Sequence, residues 1–346
     1  MSPKPATEKP VNLALQGGGS HGAFTWGVLD RIFEDERIRV EAISGTSAGA
    51  MNAVVAAQGL FDDGRDGARA ALDAFWCELA RAGAASPLKR NPINVWMGNW
   101  SLDNAPVYVM MDLMNRLASP YDINPLRLNP LRDLVARLVD FDKVRHADSI
   151  ALYLSATNVE TGHVRIFQRS EVTADVVMAS ACLPNIFHAV EIDGQAYWDG
   201  GYMGNPVLYP FFHRSHSDDI IVVQINPIVR EGVPRSAPEI LNRVNEITFN
   251  SALIAEMRAI EFVRRLLDEG SLDGSRYRHI NVHMVEARKQ MRPLGASSKM
   301  NTEMAFLRHL FEIGREAADR WIAAHFDDIG ERSTVDLKQI VSGPRS

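Results

Sequence analysis

The chain has 346 residues, 46% of them hydrophobic and 23% charged, with 24 Gly and 17 Pro, which excludes disordered and fibrous classes. Forty-three acids against 37 Lys plus Arg leave a formal charge of −6, so the bulk balance gives no reason to expect a nucleic-acid partner. The two cysteines, Cys77 and Cys182, lie far apart and form neither a metal-ligand nor a redox spacing.

Residues 1–10 carry three prolines and two lysines and lack the apolar run of a signal peptide, so they read as a flexible tail. With no apolar window of spanning length, a cytoplasmic location is expected, with membrane contact limited to the periphery. From Asn12 to Gln16 the chain reads as a buried strand ending in Gly17-Gly18-Gly19, and His21 to Glu34 has the apolar spacing of a helix. Val40 to Ser44 is a second strand, broken by Gly45-Thr46-Ser47-Ala48-Gly49 and followed by a small-residue helix over Ala50 to Gln58. Strand, helix, strand and helix in succession imply a parallel pair and a three-layer α/β/α sandwich with a mostly parallel sheet.

Further strands are expected at Ile150 to Ala156, Val164 to Phe167, a hairpin around Val190 and Tyr197, Ile220 to Ile225 and His279 to Met284. Long helices are expected over Glu239 to Leu267 and Asn301 to His325, as outer layers that also leave a homo-oligomer open. Residues 86–130, rich in Asn, Pro, Met and Trp, read as an irregular insertion carrying short helices. The expected organisation is a catalytic core over 11–230 containing that insertion and a helical and strand extension over 231–346 packed on the same domain.

Three places carry chemistry. Gly45-Thr46-Ser47-Ala48-Gly49 fits a strand-to-helix turn that pushes a serine hydroxyl out of the backbone, although a plain βα turn has the same spelling. Gly17-Gly18-Gly19-Ser20-His21-Gly22 fits a dinucleotide fingerprint, but Glu41 sits inside the second strand rather than at its end, where a ribose-binding acid belongs. The competing reading makes the Gly17, Gly18 and Gly19 amides an oxyanion hole for Ser47, with His21 supporting the hole, binding a head group or simply solvated. Asp199-Gly200-Gly201, delivered by the hairpin, offers Asp199 as the base, and a serine–aspartate dyad needs only one hydrogen bond and a carboxyl raised by desolvation. Candidate histidine bases, His146, His163, His188, His213 and His216, lack a distinctive frame, and His213 and His216 fall in a polar stretch, Phe212 to Asp219, that reads as a surface loop.

Together these blocks resemble the patatin-like phospholipase family from Leu13 to about Pro227. The six-residue glycine block looks like its oxyanion loop, the Ser47 block like its nucleophile elbow, and Asp199-Gly200-Gly201 like its dyad acid. Ala156-Thr157-Asn158 with Thr161-Gly162, Ala179-Ser180-Ala181-Cys182-Leu183-Pro184 and Asn205-Pro206 agree as well. His21 stands where many members carry Arg or Lys. The resemblance implies a Ser47–Asp199 dyad with Gly22, Gly45, Gly49, Gly200 and Gly201 as motif support, and hydrolysis of lipid or lysolipid acyl esters with no metal or other cofactor. A lipid-binding or partner-binding module on the same fold and an acyltransferase are the alternatives. Val95, Trp96, Met97, Trp100, Val107, Tyr108, Met110, Met111, Leu113 and Met114 suit an acyl channel or a membrane or micelle surface, or else ordinary core. Cys182 and Cys77 are expected to be packing residues.

Overall fold

A computed structural model describes residues 8–343. Eight strands form one sheet: β1 (Lys9–Leu15), β2 (Ile38–Gly45), β3 (Ala151–Asn158), β4 (Val164–Gln168), β5 (Val190–Ile192), β6 (Gln195–Asp199), β7 (Asp219–Val223) and β8 (Asn281–Val285). Their order is β5-β6-β3-β2-β1-β7-β8, with β4 paired to β3. From β3 to β8 neighbours are parallel, and the hairpin β5–β6 and β4 join antiparallel. The tail expected over 1–10 lies mostly outside the described residues, and β1 already takes up Lys9 and Pro10.

Period-two alternation explains the layers. Leu13, Leu15, Ile43, Leu152, Leu154, Ile221 and Val223 face one core, whereas Ala14, Ala42, Tyr153, Ile220 and Val222 face the other. The first core is closed by α1 (Gly22–Glu34) and α2 (Ala48–Ala84), together with a long helix from the C-terminal region. Helix α2 is really two helices meeting at Asp63 and Gly64, where the backbone is non-helical. Between α2 and β3 lie α3 (Pro92–Trp96), α4 (Pro106–Leu117), α5 (Pro120–Ile123), α6 (Pro130–Leu138) and α7 (Phe141–His146). Of these, α3, α4 and α5 are the short helices of the 86–130 insertion, each opened by a proline in its first turn.

After β4 come α8 (Ala174–Ser180) and α9 (Tyr209–Arg214), then α10 (Ala237–Asp268), α11 (Arg288–Met291), α12 (Met304–His325) and α13 (Leu337–Ser342). The second core is covered by α9, α10 and α13 through Phe211, Leu253, Met257, Ile260 and Leu337, while α12 lies along α1 on the first face. The result is the three-layer α/β/α sandwich that the alternation of elements implies. The stretch Phe212 to Asp219 is not a plain surface loop: it begins in α9 and ends in β7, and Ser217 and Asp219 are buried because Ser217 bonds the backbone at Pro10 and Asp219 meets His283.

Candidate active site

β1 and β2 run side by side with Leu15 opposite Gly45, so the turns that follow them open at the same edge of the sheet. Ser47 sits on the second turn with φ 56° and ψ −120°, a conformation that a residue with a Cβ occupies only under constraint. The constraint is visible. The Ser180 hydroxyl accepts the Ser47 N–H at 2.9 Å, and the Thr46 hydroxyl is tied to Ser155 at 2.6 Å and to the Gly204 carbonyl at 2.7 Å. A Cβ on Gly49 would stand 2.2 Å from the Leu15 carbonyl oxygen, so the start of α2 presses directly on the end of β1.

The first turn lies against the second: a Cβ on Gly17 would meet the Ser47 Cβ at 2.7 Å. The third piece arrives from β6, whose Asp199 pairs with Ala156 of β3 and whose amide donates to the Cys182 carbonyl. Asp199 is 1% exposed, and its carboxylate accepts the Gly201 N–H at 2.7 Å. Burial pushes its pKa up from the ordinary carboxylate range to about 7, against the pull of Gly201, of the hydrogen bond with the Ser47 side chain and of the Lys299 charge. Gly200 and Gly201 are needed because Ser155 and the Phe249 ring occupy the space where their side chains would be. A nucleophile candidate and a carboxyl poised to take a proton near neutrality thus share one crevice.

The glycine loop differs from the sequence expectation at two points. The Gly17 N–H is already taken, at 2.6 Å, by the Asn205 side-chain oxygen, because the loop needs that bond to hold its position beside Ser47. The Gly17 N–H expected as a donor is therefore engaged, and the amides here without a protein partner among the described residues are those of Gly18, Gly19 and Ser20, with Ala48 at the start of α2. His21 is not solvated. It is buried, edge-on to Phe306, with Nε2 2.8 Å from the Ser298 hydroxyl, and burial together with the nearby Lys299 charge lowers its pKa well below that of a free histidine.

Glu41 spends its carboxylate on the N–H groups of His216 and Ser217 and on Ser215, far from a ribose role. The other histidines hold backbone instead of Ser47: His146 at Asp142, His163 at Thr161 and His188 at Pro120, while His213 lies in the last turn of α9 and His216 follows it near the opposite, N-terminal end of β7. Cys182 is buried with its Sγ 3.0 Å from the His188 carbonyl, and burial and the Asp199 charge push its pKa up to about 12, so it packs rather than reacts. Among the described residues no group of three or more His, Cys, Asp or Glu side chains could hold a metal ion.

Sequence reasoning missed a set of amides and one cation behind the loop. Asn226 donates Nδ2 to the Gly17 carbonyl at 2.9 Å and accepts the Lys299 ammonium at 2.8 Å, while Gln16 bonds Asn205, Asn226 and Asn250. Asn205 was visible in its Asn-Pro pair, but Lys299 carries no local signal, since it reaches the loop through a segment 280 residues downstream.

Most of the apolar cluster of the insertion is at the surface, while Trp100 packs on the core against Phe306 and His309. Trp96 is 88% exposed and Leu126 78%, with Met97, Met110, Leu113 and Leu117 also exposed, because the short helices have no layer above them. The insertion is fastened at two points within it. Ser101 and Leu102 bond Ser297, next to the His21 partner Ser298, and Pro120 and Tyr121 hold His188 and Ala189 in the loop after Cys182.

A family model described as patatin-like phospholipase matches residues 13–211. Among solved structures, VipD from Legionella pneumophila is similar over 97% of this chain and 79% of its own, at 14% identity and a TM-score of 0.35. A structure of the effector ExoU is similar over 93% of this chain and 60% of its own, at 13% identity and a TM-score of 0.33. The complex of SpcU with ExoU from Pseudomonas aeruginosa is similar over 90% and 53%, at 12% identity and a TM-score of 0.31. No curated protein matches the chain.

Proposed function

Because the chain belongs to the patatin-like phospholipase family, we propose that it hydrolyses fatty acyl esters of phospholipids or lysophospholipids with Ser47 as nucleophile and Asp199 as base. The observation that carries this reading is Ser47 on its constrained turn, with its side chain acting on the buried carboxyl of Asp199, which burial pushes up to about 7.

In the first half-reaction Ser47 Oγ attacks the ester carbonyl carbon while its proton passes to the Asp199 carboxylate. Negative charge develops on the carbonyl oxygen, which the free Gly18 and Gly19 N–H groups are positioned to receive. Collapse breaks the ester bond, the departing alcohol oxygen takes the proton from Asp199, and the acyl chain stays on Ser47. Water then gives a proton to Asp199 and its oxygen to the acyl carbon, and fatty acid leaves as Ser47 recovers its hydrogen. Asp199 must start each half-reaction ionised, so kcat/KM rises with pH through about 7.

Substrate delivery follows from the surface around the crevice. Besides the exposed apolar side chains of the insertion there is a basic segment after β8, with exposed Arg288, Lys289 and Arg292 and no acid from 287 to 300. In a chain of net charge −6 that local excess suits an anionic lipid surface. No helix among the described residues is long and apolar enough to cross a membrane, so contact would be made from one side.

The test is fatty acid release from mixed phospholipid and lysophospholipid micelles by wild type, Ser47→Ala and Asp199→Asn, with a chelator present and folding of each variant checked. Wild-type activity reduced more than about 10⁴-fold by Ser47→Ala and severely by Asp199→Asn, indifferent to chelator, supports the reading. Activity that survives Ser47→Ala overturns it, and a folded wild type inert on every lipid moves the assignment to a binding module on the same fold.

A further inference from the structure

A half-buried lysine behind the glycine loop has no role in the steps above. Lys299 Nζ has one hydrogen-bond partner among the described residues, Asn226 Oδ1 at 2.8 Å, and no carboxylate within ion-pair distance. Glu246, whose charge it feels, is already held by Arg230 at 2.5 Å and by Arg243 at 3.1 Å. The main chain of Lys299 is equally fixed, since a Cβ on Gly19 would meet its carbonyl oxygen at 2.5 Å.

An ammonium can only donate, so the Asn226 atom facing it must be the oxygen, and the amide group is thereby oriented with Nδ2 toward the Gly17 carbonyl at 2.9 Å. The Gly17–Gly18 peptide is trans, which places the Gly18 N–H on the side opposite the Gly17 carbonyl, away from Asn226. The three links run in series: ammonium to amide oxygen, amide N–H to peptide oxygen, and peptide N–H to whatever sits in the crevice. Each link polarises the next, and the first carries a full charge in a partly desolvated setting. Asn205 holds the same glycine through the preceding peptide, accepting its N–H at 2.6 Å.

We propose that Lys299 is a positioning residue for the reaction assigned above, acting through Asn226 to fix and polarise the Gly17–Gly18 peptide so that the Gly18 N–H serves as the oxyanion donor. The inference rests on the serine–aspartate reading of the site. It gives the C-terminal region, outside the residues matched by the family, a direct part in the chemistry. Lys299 acts on the base as well: its charge favours the ionised form of Asp199, which also faces Ser47, Cys182 and Tyr202, while Lys299 itself faces Asp199, Glu246 and His21.

The experiment compares Lys299→Met, Lys299→Arg, Asn226→Asp and the double variant Lys299→Met with Asn226→Asp on two substrates, the soluble neutral ester p-nitrophenyl butyrate and phospholipid in mixed micelles. Asn226→Asp keeps the shape and the acceptor for Lys299 but has no N–H for the Gly17 carbonyl. Expected is a fall in kcat of about tenfold or more for Lys299→Met and for Asn226→Asp on both substrates, with KM nearly unchanged, since the loss is of charge stabilisation in the transition state. The double variant is expected to be no worse than the poorer single one, because both cut the same chain. Lys299→Arg restores part of kcat, and the midpoint of the acid limb of kcat/KM moves up in Lys299→Met but not in Lys299→Arg.

Wild-type kcat in folded Asn226→Asp overturns the proposal. So does a loss in Lys299→Met confined to KM for phospholipid, which would make the ammonium a head-group contact. A folded wild type inert on both esters removes the serine–aspartate reading itself and this proposal with it, a result that no variant is needed to see.

Discussion

The crevice and the insertion beside it are built on opposite principles. Around Ser47 the backbone is pressed so closely that side chains larger than hydrogen have no room at Gly17, Gly49, Gly200 or Gly201, and the turn after β2 is tied to Ser155 and Ser180. In residues 86–130 the helices are short, and Trp96, Met110, Leu117 and Leu126 project outward with nothing packed on them. One region holds atoms still at a site where charge must move, and the other offers apolar surface that can meet a soft partner. Rigidity and apolar exposure are thus separated in the fold by a few loops.

The largest expected effect tests how hard the crevice works against its own carboxyl. Asp199 has its pKa raised to about 7, so between about pH 4 and about pH 7 the folded state binds a proton that the unfolded chain has already released. Wild-type stability therefore falls as pH rises through that window and stays reduced above it. At about 1.4 kcal/mol per unit the contribution of this one group is on the order of 4 kcal/mol. Asp199→Asn does not titrate, so its stability relative to wild type should rise by a few kcal/mol between about pH 4 and about pH 8, measured by urea unfolding across that range. Glu256, also pushed up by burial to about 7, is present in both proteins and cancels in the difference. A flat difference would mean that the crevice is wet and as yielding as the insertion.

Next in size is packing. Gly49→Val puts atoms where the Leu15 carbonyl oxygen stands 2.2 Å from the first added carbon, and a backbone cannot yield as a flexible side chain can. A loss of about 3 kcal/mol is expected. Trp96→Ser, at the 88% exposed position of the insertion, should stay within about 0.5 kcal/mol of wild type in the same measurement. Equal losses would erase the distinction between the two regions.

Those contrasts explain what the sequence could reveal. The strand and helix alternation was readable because the sheet sorts its residues with period two, and the turns after β1 and β2 were readable because glycine is the residue that close approach demands. Ser47 and Asp199 stood out since each sits in such a turn. That the Gly17 N–H is claimed by Asn205 is not legible in the sequence, because the contact is made across 188 positions that no local pattern records. His21 and Lys299 were opaque for the same reason: the segment carrying Ser298 and Lys299 folds over the loop, buries the histidine and brings in the charge. In the insertion, the Met and Trp content could not say which way the side chains face, because an irregular chain lacks the period that separates core from surface.

A smaller effect is expected where the insertion meets lipid. Replacing Trp96 and Leu126 by Ser should weaken partitioning onto phosphatidylglycerol vesicles by about tenfold or more, while kcat on p-nitrophenyl butyrate stays at the wild-type level. Sedimentation with vesicles reads the first quantity and a soluble assay the second. Partitioning that is unchanged would take the lipid role away from the insertion and leave it to the basic segment after β8.

The smallest effect sharpens the boundary between the two regions from inside. Cys182 precedes the loop that Tyr121 of the insertion touches through Ala189, yet its own peptide carbonyl holds the Asp199 amide at 2.8 Å, so it belongs mechanically to the crevice. With a pKa of about 12 its thiolate fraction at about pH 8 is on the order of 10⁻⁴, and its sulfur has no path to solvent in the closed fold. Iodoacetamide should therefore leave Cys182 untouched in the native protein and modify it only on unfolding, which peptide mass spectrometry distinguishes from reaction at the half-buried Cys77. Cys182→Ala should shift stability by only about 1 kcal/mol and leave the acid limb of kcat/KM in place, because the thiol facing Asp199 is neutral throughout the range in which the carboxyl titrates. Labelling of Cys182 at a rate comparable to Cys77 would show that the wall shared by the two regions opens readily, and the stillness attributed to the crevice would then have to come from the glycine loop and its asparagines alone.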